Sequence, residues 1–329
     1  MIIASIIVIL IIVFKMIYNQ YLVNIERELT RKEFDVNSIN RLYNYNKDKV
    51  YIDNILRLDS SNFYDDDHLK QLVYIAVKSG KRIRSVILLS ISKGYPQLEH
   101  TESLVKNFIC SIEYIHSSSL ILDDIMDEDL YRRGDKCMYV EYGIPKTQLI
   151  ALALFTRSIK LLLSEIDHAS GSEICKNNRD MIYEVINSLE DCTIGQYLDL
   201  YGKNIDTASV LQKKTITLFE ISYLMGWYST NYNKSLQDIL PILKRLSYAF
   251  GMLFQIADDF TDIERDKENN SKYNYVLNYG KKEALNLYGK SLQDWLNLSY
   301  EHNIISKSLL EVVLYLTKRT YDIYLSSNV

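Results

Sequence analysis

Residues that interrupt helices are scarce in this sequence. Its 329 residues include only 3 prolines and 11 glycines. Because these two residue types destabilise helix interiors most strongly, their scarcity favours long helices. No strand-like alternation of apolar and polar residues stands out, and neither a GxGxxG nor a P-loop motif is present. The sequence therefore predicts an all-α fold, in a chain long enough for one large domain or two ordinary ones.

Paired cysteines and an excess of positive charge are also missing. The 4 cysteines form no CxxC pair, which argues against a disulfide framework or a zinc site and indicates a reducing compartment. Lysine and arginine together number 38 against 42 acidic residues, and the net charge is −4. No long basic tract appears, so we do not expect nucleic acid as a partner.

An apolar segment opens the sequence. Residues 2–14 carry no charge, and Lys15 is the only charged residue before Tyr18. A helix that continues to Tyr18 spans roughly 25 Å, slightly less than the hydrocarbon core of a bilayer. The basic region before the apolar run and the cleavage site after it that typify a signal peptide are absent. We predict that residues 1–18 form a membrane anchor, the alternatives being an uncleaved signal or a buried helix.

Positive charges follow the anchor at Lys15, Arg27, Arg31 and Lys32. Such charges are retained on the cytosolic side of a membrane, so the rest of the chain is expected there. Residues 19–60 are predicted to be a tether that leads into the first helices. Residues 61–329 are predicted to form the globular domain.

Apolar residues recur at spacings of three and four through much of that domain, which is typical of helices packed on a core. The clearest stretches are residues 68–80, 104–127, 147–166 and 240–263. The first of them ends at Gly80, a common helix terminator. The second and the fourth lead directly into clusters of acidic residues.

Two aspartate clusters share the spacing DDxxD. They consist of Asp123, Asp124 and Asp127, and of Asp258, Asp259 and Asp262. Like charges four residues apart repel each other on a helix, so the arrangement needs neutralising cations. Carboxylate oxygens suit Mg²⁺, which usually shares its coordination sphere with substrate phosphates. The repeated cluster predicts a metal and diphosphate site; the alternative is a pair of solvated helix ends.

Basic residues accompany the acids along the chain. They occur in GKRIR at 80–84, in RRG at 132–134, in KKT at 213–215 and at Lys272. Arginine can bind phosphate oxygens through two donors, and lysine binds them as a point charge. Each basic residue alone would be interpreted as a surface charge. Together with the acids they indicate a site that binds two anions, one through metal and one directly.

These motifs resemble those of the trans-isoprenyl diphosphate synthases, the farnesyl and geranylgeranyl diphosphate synthase family. The resemblance runs from about residue 65 to about residue 290 and keeps the family's motif order. It rests on GKRIR at 80–84, HSSSLILDDIMDEDLYRRG at 116–134, GQYLDL at 195–200, KKTITLF at 213–219 and FQIADDFTD at 254–262. The chain departs from the family pattern at Ser85, where proline is usual, and at Ser271, where glycine precedes the lysine.

The resemblance implies an isoprenoid-synthase helical bundle around a central cavity, a homodimer, and about three Mg²⁺ ions shared with the substrate, with Mn²⁺ as an alternative metal. It implies that Asp123, Asp124, Asp127, Asp258, Asp259 and Asp262 are metal ligands. It places Arg132, Lys214 and Lys272 on an allylic diphosphate, and Lys81, Arg84, His116 and Arg133 on isopentenyl diphosphate. It places Gln196, Thr215 and Gln255 around the reacting carbons.

The implied reaction is a prenyl transfer by ionisation, condensation and elimination. The allylic C–O bond ionises, the double bond of isopentenyl diphosphate attacks the cation, and a proton is lost. No protein nucleophile is required, so the protein's tasks are to position the substrates and to exclude water.

Two serines bear on the length of the product. In short-product members of the family, aromatic residues stand four and five positions before the first aspartate. Here these positions are Ser119 and Ser118, which leaves the pocket floor open and predicts geranylgeranyl diphosphate (C20) or a longer product. The alternative is that the serines only allow helices to pack closely.

Three other functions remain open. The pairs Glu113-x-x-His116 and Glu165-x-x-His168 have the spacing of di-iron ligands in helical bundles. A terpene cyclase shares the fold and the first aspartate motif, but would carry a different second motif and lack GKxxR. A non-catalytic, membrane-anchored paralogue would be expected to have lost acids or basic residues, and none of them is missing.

Overall fold

The computed structural model describes residues 42–96, 98, 101–164, 172–203, 205–268 and 271–326. The predicted anchor and residues 19–41 of the predicted tether lie outside the described residues, as do Glu165 and His168. The compact unit starts at Tyr43, ahead of the predicted boundary at residue 61. Glu311 near the C-terminus explains this difference, because its carboxylate accepts hydrogen bonds from Asn44 Nδ2 at 2.6 Å and from the backbone N–H of Tyr45 at 2.9 Å.

The described residues form α-helices, a π-helix and a short hairpin. The helices are α1 (Tyr43–Ser61), α2 (Asp67–Val77), α3 (Ile83–Lys93), α4 (Thr101–Met126), α5 (Met138–Tyr142), α6 (Ile144–Ser164), α7 (Ser172–Tyr201), α8 (Thr207–Leu211), α9 (Thr217–Asn231), α10 (Leu236–Thr261), α11 (Ile263–Glu268), α12 (Tyr275–Tyr279), α13 (Lys281–Glu301) and α14 (Lys307–Ser326). A π-helix (Gln212–Ile216) lies between α8 and α9, and strands β1 (Tyr131–Arg132) and β2 (Asp135–Lys136) lie between α4 and α5.

The helical stretches expected from apolar spacing are confirmed as α2, α4, α6 and α10. The hairpin was not expected, because strands of two residues are too short to produce an alternating pattern. Its strands pair antiparallel, with Tyr131 opposite Lys136. The π-helix was not expected either, since the KKT segment has the apolar flanks of an ordinary helix.

The centre of the bundle is α9. Every residue of this helix except Glu220 is buried, as expected of a helix that is apolar on all sides. It packs against α3, and Gly226 permits the close approach, because a Cβ there would lie 2.8 Å from the carbonyl oxygen of Leu88. The π-helix directly precedes α9, so this core holds that segment beside α7 and α10.

Helices α6 and α10 are long and apolar enough to cross a membrane by length and composition, with mean hydropathies of 1.3 and 1.2. Half of the most apolar stretch of α10 is buried within the bundle, and 39% of that of α6. Helix α10 buries Leu246, Phe250 and Leu253 in the core. Helix α6 receives a hydrogen bond from α4, since Ser118 Oγ donates to the carbonyl oxygen of Ala151 at 2.9 Å. We therefore assign both helices to the bundle.

Candidate active site

A cavity of about 1010 Å³ opens between α2, α3, α4, α5 and α10. Its wall includes many of the residues singled out in the sequence. These are Lys81, Arg84, His116, Asp123, Asp124, Arg132, Arg133, Thr215, Gln255 and Asp258. The two aspartate clusters and three of the basic motifs are thus brought together from distant parts of the chain.

Both aspartate clusters lie where a helix ends. Helix α4 ends at Met126 and α10 ends at Thr261, and the next residue in each case is the third aspartate of the cluster. In the last turn of α4, the backbone N–H of Asp127 donates to Asp123 O at 2.8 Å. In the last turn of α10, the backbone N–H of Asp262 donates to Asp258 O at 2.9 Å. Because the C-terminus of a helix carries a partial negative charge, carboxylates there need compensation.

Burial further disfavours the charged form of these carboxylates. It raises the pKa of Asp123 to about 6, although Lys214 acts in the opposite direction. Burial also raises the pKa values of Asp124, Asp127 and Asp258. The acids are therefore held in an environment that disfavours their charged form and would be stabilised by cations.

Lys214 supplies part of this compensation. Its Nζ lies 3.8 Å from Asp123 Oδ1 and forms a short ion pair with Asp199. Burial acts to lower the pKa of Lys214, but the carboxylates of Asp123 and Asp199 outweigh it, so the pKa is raised. The lysine therefore stays charged, and it connects α4, α7 and the π-helix.

The hairpin presents two arginines to the cavity. Arg132 Nε forms an ion pair with Asp124, and its Nη2 lies 3.8 Å from Asp129. Arg133 has a positive φ of 56° in the turn, and its Nη1 donates to the carbonyl oxygen of Ser79 at 2.9 Å. The turn thereby points one arginine toward the first aspartate cluster and ties the other to the loop after α2.

Arg84 and His116 form a half-buried pair on the wall of the cavity. Arg84 Nη1 lies 3.3 Å from His116 Nε2. Burial, with nearby arginines, lowers the pKa of His116 well below its usual value, so the imidazole is neutral. Because arginine can only donate, Nε2 accepts the bond and Nδ1 carries the proton. Both His116 Nδ1 and Arg84 Nε are buried without a hydrogen-bond partner, which leaves two donors for an anion.

Aromatic rings support the cations of this wall. The guanidinium carbon of Arg84 lies 4.6 Å from the ring centre of Phe219, and Lys81 Nζ lies 5.5 Å from that of Phe254. The two rings contact each other edge to face at 5.4 Å. Lys81 also lies 3.7 Å from Asp258. These contacts place a lysine beside the second aspartate cluster.

A buried ion network fixes the segment between α2 and α3. Arg82 has a positive φ of 55°, and its side chain binds Asp53 at 2.8 Å and Glu113 at 2.9 Å. Ser85 Oγ donates to the other oxygen of Glu113 at 2.6 Å. Lys81 and Arg84 flank this anchored residue on its two sides, so the network sets the direction of both.

Glu113 is therefore bound to Arg82 and Ser85 rather than free to bind a metal. Within the described ranges, no three histidine, cysteine, aspartate or glutamate side chains are grouped closely enough to hold a metal ion. These observations give the di-iron alternative no support, and Glu165 and His168 lie outside the described residues.

The donors near the cavity fit Mg²⁺ in a different way. Asp123, Asp124 and Asp258 offer hard oxygen ligands from two sides of one cavity. Mg²⁺ is commonly bound by one or two carboxylates together with substrate phosphates rather than by a closed protein cage. An aspartate set that is incomplete by itself therefore fits a metal that binds with a diphosphate.

Several expected site residues lie outside the cavity wall. Asp259 is 4% exposed, and its carboxylate accepts bonds from Gln255 Nε2 at 2.8 Å and from the backbone N–H of Tyr275 at 2.7 Å. Asp262 binds Arg265 at 2.8 Å. Lys272 is exposed. The metal and diphosphate roles of these residues stay predictions.

Gln196 and Asp127 occupy intermediate positions. Gln196 Nε2 is buried without a hydrogen-bond partner, and Asp127 is exposed just beyond the end of α4. Neither is part of the cavity wall. Their predicted roles, like that of Lys214 toward a diphosphate, also stay predictions.

The two serines expected at the pocket floor are not among the residues that line the cavity. Ser118 is 3% exposed and donates to Ala151 O of α6, while Ser119 Oγ bonds back to His116 O at 2.8 Å. The cavity wall includes Ser117, Leu120 and Ile121 of the same helix instead. Helix α6 takes up the face of α4 that carries Ser118, and the role of the two serines in product length stays a prediction.

Sequence reasoning missed residues that contact the predicted ones. Asp199, Phe219 and Phe254 were not assigned roles, although all three stand inside the quoted motifs GQYLDL, KKTITLF and FQIADDFTD. The sequence therefore contained a signal for Asp199, because this acid stands within the GQYLDL motif, three residues after Gln196. For the two phenylalanines no signal distinguishes a ring under a cation from ordinary core packing.

Comparison with known proteins identifies the family. The sequence model of the family described as polyprenyl synthetase matches residues 66–288. The chain belongs to the polyprenyl synthetase family. This confirms the resemblance seen in the motifs, and the family supports a prenyltransferase.

Curated members of the polyprenyl synthetase family are similar over most of the chain. A trans-prenyltransferase of African swine fever virus (isolate Pig/Kenya/KEN-50/1950) is 28% identical over 249 residues, covering 72% of each chain. A farnesyl diphosphate synthase of Buchnera aphidicola is 30% identical over 243 residues, covering 70% of this chain and 83% of its own. A hexaprenyl pyrophosphate synthase of Saccharolobus solfataricus is 27% identical over 248 residues, covering 74% and 80%.

Solved structures agree with the isoprenoid-synthase fold. A geranyltranstransferase of Thermotoga maritima superimposes with a TM-score of 0.69 at 20% identity, over 85% of this chain and 99% of that one. A geranyltransferase of Helicobacter pylori, complexed with magnesium and isoprenyl diphosphate, superimposes with a TM-score of 0.64 at 22% identity, over 83% and 96%. The predicted helical bundle is thus confirmed.

Replacing Asp123 by asparagine should stabilise the protein without metal. A carboxyl whose folded pKa is raised lowers stability above that pKa, and this cost fades as the pH falls toward its ordinary value. With a pKa of about 6 against 3.8, the gain in unfolding free energy should be about 1–2 kcal/mol larger at pH 8 than at pH 5. Urea denaturation at both pH values measures it.

The matched control for Asp123→Asn is Glu128→Gln, which neutralises an exposed acid of the same segment. Its effect should stay within about 0.5 kcal/mol at both pH values. A gain for Asp123→Asn that is the same at pH 5 and pH 8 would contradict the assigned cause.

Proposed function

We propose that the protein condenses isopentenyl diphosphate with an allylic diphosphate, by ionisation, condensation and elimination, to give geranylgeranyl diphosphate or a longer product. The observation that carries this proposal is one cavity lined by aspartates from α4 and α10 and by Lys81, Arg84 and His116. Acidic and cationic groups on the same cavity suit two diphosphates, one bound with metal and one bound directly.

The cationic wall suits isopentenyl diphosphate. Arg84 Nε and His116 Nδ1 are buried donors without acceptors, and an unmade hydrogen bond of a buried group is costly. A diphosphate oxygen would satisfy both, with Lys81 and Arg133 adding charge from the loops beside them. Neutral His116 acts here as a hydrogen-bond donor and not as an acid.

The acidic wall suits the allylic diphosphate. Asp123, Asp124, Asp127 and Asp258 would hold Mg²⁺, with Asp259 and Asp262 behind Asp258. Bound Mg²⁺ supplies the positive charge that makes the diphosphate a better leaving group. Arg132 and Lys214 would contact the same diphosphate, with Lys272 from the loop before α12, while Gln255, Gln196 and Thr215 would surround the reacting carbons.

A C20 or longer product is expected because no aromatic residue stands four or five positions before the first aspartate. The relatives described above include both a farnesyl and a hexaprenyl synthase, so the length depends on this chain's own side chains. Ser119 is the better position to probe, since Ser118 is packed against Ala151. A larger side chain at Ser118 would report disturbed packing of α6 rather than a shortened pocket.

The test is an assay with labelled isopentenyl diphosphate, each allylic primer and Mg²⁺, with products sized by chromatography. We expect incorporation that EDTA abolishes and a product of C20 or longer. Ser119→Phe should shorten the product, because the added ring would extend from a helix whose Ser117, Leu120 and Ile121 line the cavity. Ser118→Ala, the matched control, should leave the product length unchanged. Wild-type protein that incorporates no label with any primer would refute the enzyme and favour a non-catalytic paralogue or a cyclase.

A homodimer accompanies this proposal. Helix α6 exposes Leu149 and Leu152 by 66% and 57%, and α7 exposes Tyr183 and Ile186 by 66% and 50%. Large apolar side chains repeated along helix faces commonly mark a subunit interface. The double variant Leu149→Glu and Leu152→Glu should therefore be monomeric in analytical ultracentrifugation.

The control for the dimer is Leu58→Glu, which charges a leucine on α1 that is 62% exposed. This variant should sediment like the wild type. Monomeric wild-type protein at micromolar concentration would rule the homodimer out.

A membrane location on the cytosolic side is also part of the proposal. It is supported by the uncharged run at residues 2–14 and the positive charges after it. A long prenyl chain leaves the site for a bilayer more readily than for water. Deleting residues 1–18, or the single change Val8→Lys, should release the protein from vesicles in a flotation assay and leave activity intact. Continued flotation of the deletion variant would contradict the anchor.

A further inference from the structure

A π-helix carries Lys214 and Thr215. It spans Gln212–Ile216 within an otherwise α-helical stretch, and the N–H of Thr217 bonds to Gln212 O, the i to i−5 pattern of a π-helix. Such turns are rare and occur frequently at functional sites. They insert one residue relative to an α-helix, so relaxation to an α-helix would rotate the flanking side chains by about 100°.

Two glycines leave room for this wide turn. A Cβ on Gly195 of α7 would lie 2.6 Å from the carbonyl carbon of Lys213 and 2.7 Å from the Cα of Lys214. On α10, a Cβ on Gly251 would lie 2.7 Å from Cγ1 of Ile216. The atoms that meet Gly195 belong to the backbone, which cannot move aside as a flexible side chain can. Only glycine therefore allows α7 to touch the π-helix at this point.

Side chains bind the carbonyl groups of the same turn. Thr217 Oγ1 donates to Lys213 O at 2.7 Å, and Cys192 Sγ donates to Lys214 O at 3.4 Å. Cys192 lies one turn before Gly195 in α7. The thiol donor of Cys192 and the position without a Cβ at Gly195 therefore lie on the same face of the helix. That face thus contacts the π-helix through a hydrogen bond and through direct backbone packing.

The π-helix directs its two neighbouring lysines to different partners. Lys213 pairs with Asp191 of α7, where the two side chains are 37% and 45% exposed. Lys214 pairs with Asp199 and approaches Asp123, with side-chain exposures of 26%, 26% and 20%. The register of the π-helix decides which lysine reaches the first aspartate cluster.

We propose that Gly195 is a positioning residue, which holds the π-helix in the register that places Lys214 against Asp123 and toward the diphosphate. The inference rests on the proposed function in one respect, the contact of Lys214 with a diphosphate. Gly195 touches no substrate itself and acts through the backbone of Lys213 and Lys214.

The test is a double-mutant cycle read as binding. Affinity for inorganic pyrophosphate with Mg²⁺ is measured by calorimetry for the wild type, Gly195→Ala, Lys214→Ala and the double variant. We expect Gly195→Ala to weaken binding about tenfold, in the range of a lost charge-assisted hydrogen bond. In the Lys214→Ala background the same change should have almost no further effect, since residues that act through one group are not additive.

Two glycines serve as controls. A Cβ added to Gly289 of α13 would have no atom within 4 Å, whereas Gly226 is crowded like Gly195 but at the contact of α9 with α3. Gly289→Ala should bind as the wild type does. Gly226→Ala should lower the melting temperature without selectively weakening pyrophosphate binding.

Some outcomes would overturn the proposal. These are equal losses from Gly195→Ala in both backgrounds, a loss matched by Gly226→Ala, and wild-type protein that does not bind pyrophosphate. If Gly195→Ala does not fold, Cys192→Ala replaces it in the cycle, and its effect must also vanish without Lys214. Wild-type protein that binds pyrophosphate but transfers no prenyl group would refute the proposed function and leave this inference standing.

Discussion

The position of Lys214 between Asp123 and Asp199 is the interaction on which the site depends. The charged form of the carboxylates at the end of α4 is disfavoured by burial, by the neighbouring carboxylates and by the partial negative charge of the helix C-terminus. One partly buried lysine relieves this repulsion and joins α4 to α7 and the π-helix. It does not neutralise the cluster, because Asp124 and Asp127 remain, so the wall still favours additional cations.

The cationic part of the cavity wall has the reverse character. Arg84 and neutral His116 share one hydrogen bond and retain donors that nothing in the described chain satisfies. The ring of Phe219 packs against the Arg84 guanidinium. The ion pair between Arg82 and Glu113 fixes the segment that leads into Arg84. Buried charges usually obtain their partners within the protein. Here the partners are incomplete on both walls, a pattern typical of a site that binds charged ligands.

Much of this arrangement could be predicted from sequence. Apolar periodicity located α4 and α10, and the DDxxD spacing placed both acidic clusters at the ends of those helices. The order of the motifs along the chain was enough to indicate the family. The direction of Ser118 could not be predicted, because it depends on α6 occupying the adjacent face of α4. Nor could the role of Gly195, since a missing Cβ has meaning only when another backbone lies against it.

The sequence by itself determined the all-α class, the helix positions and the residue types available for chemistry. Tertiary structure decided which of two similar neighbours faces the cavity: Asp258 lines it while Asp259 binds the backbone of Tyr275. Lys214 rather than Lys213 approaches Asp123 in the same way. Adjacent residues on a helix differ by about 100° in direction. Composition and spacing do not show which of these directions points into the cavity, because that depends on where the neighbouring helices pack.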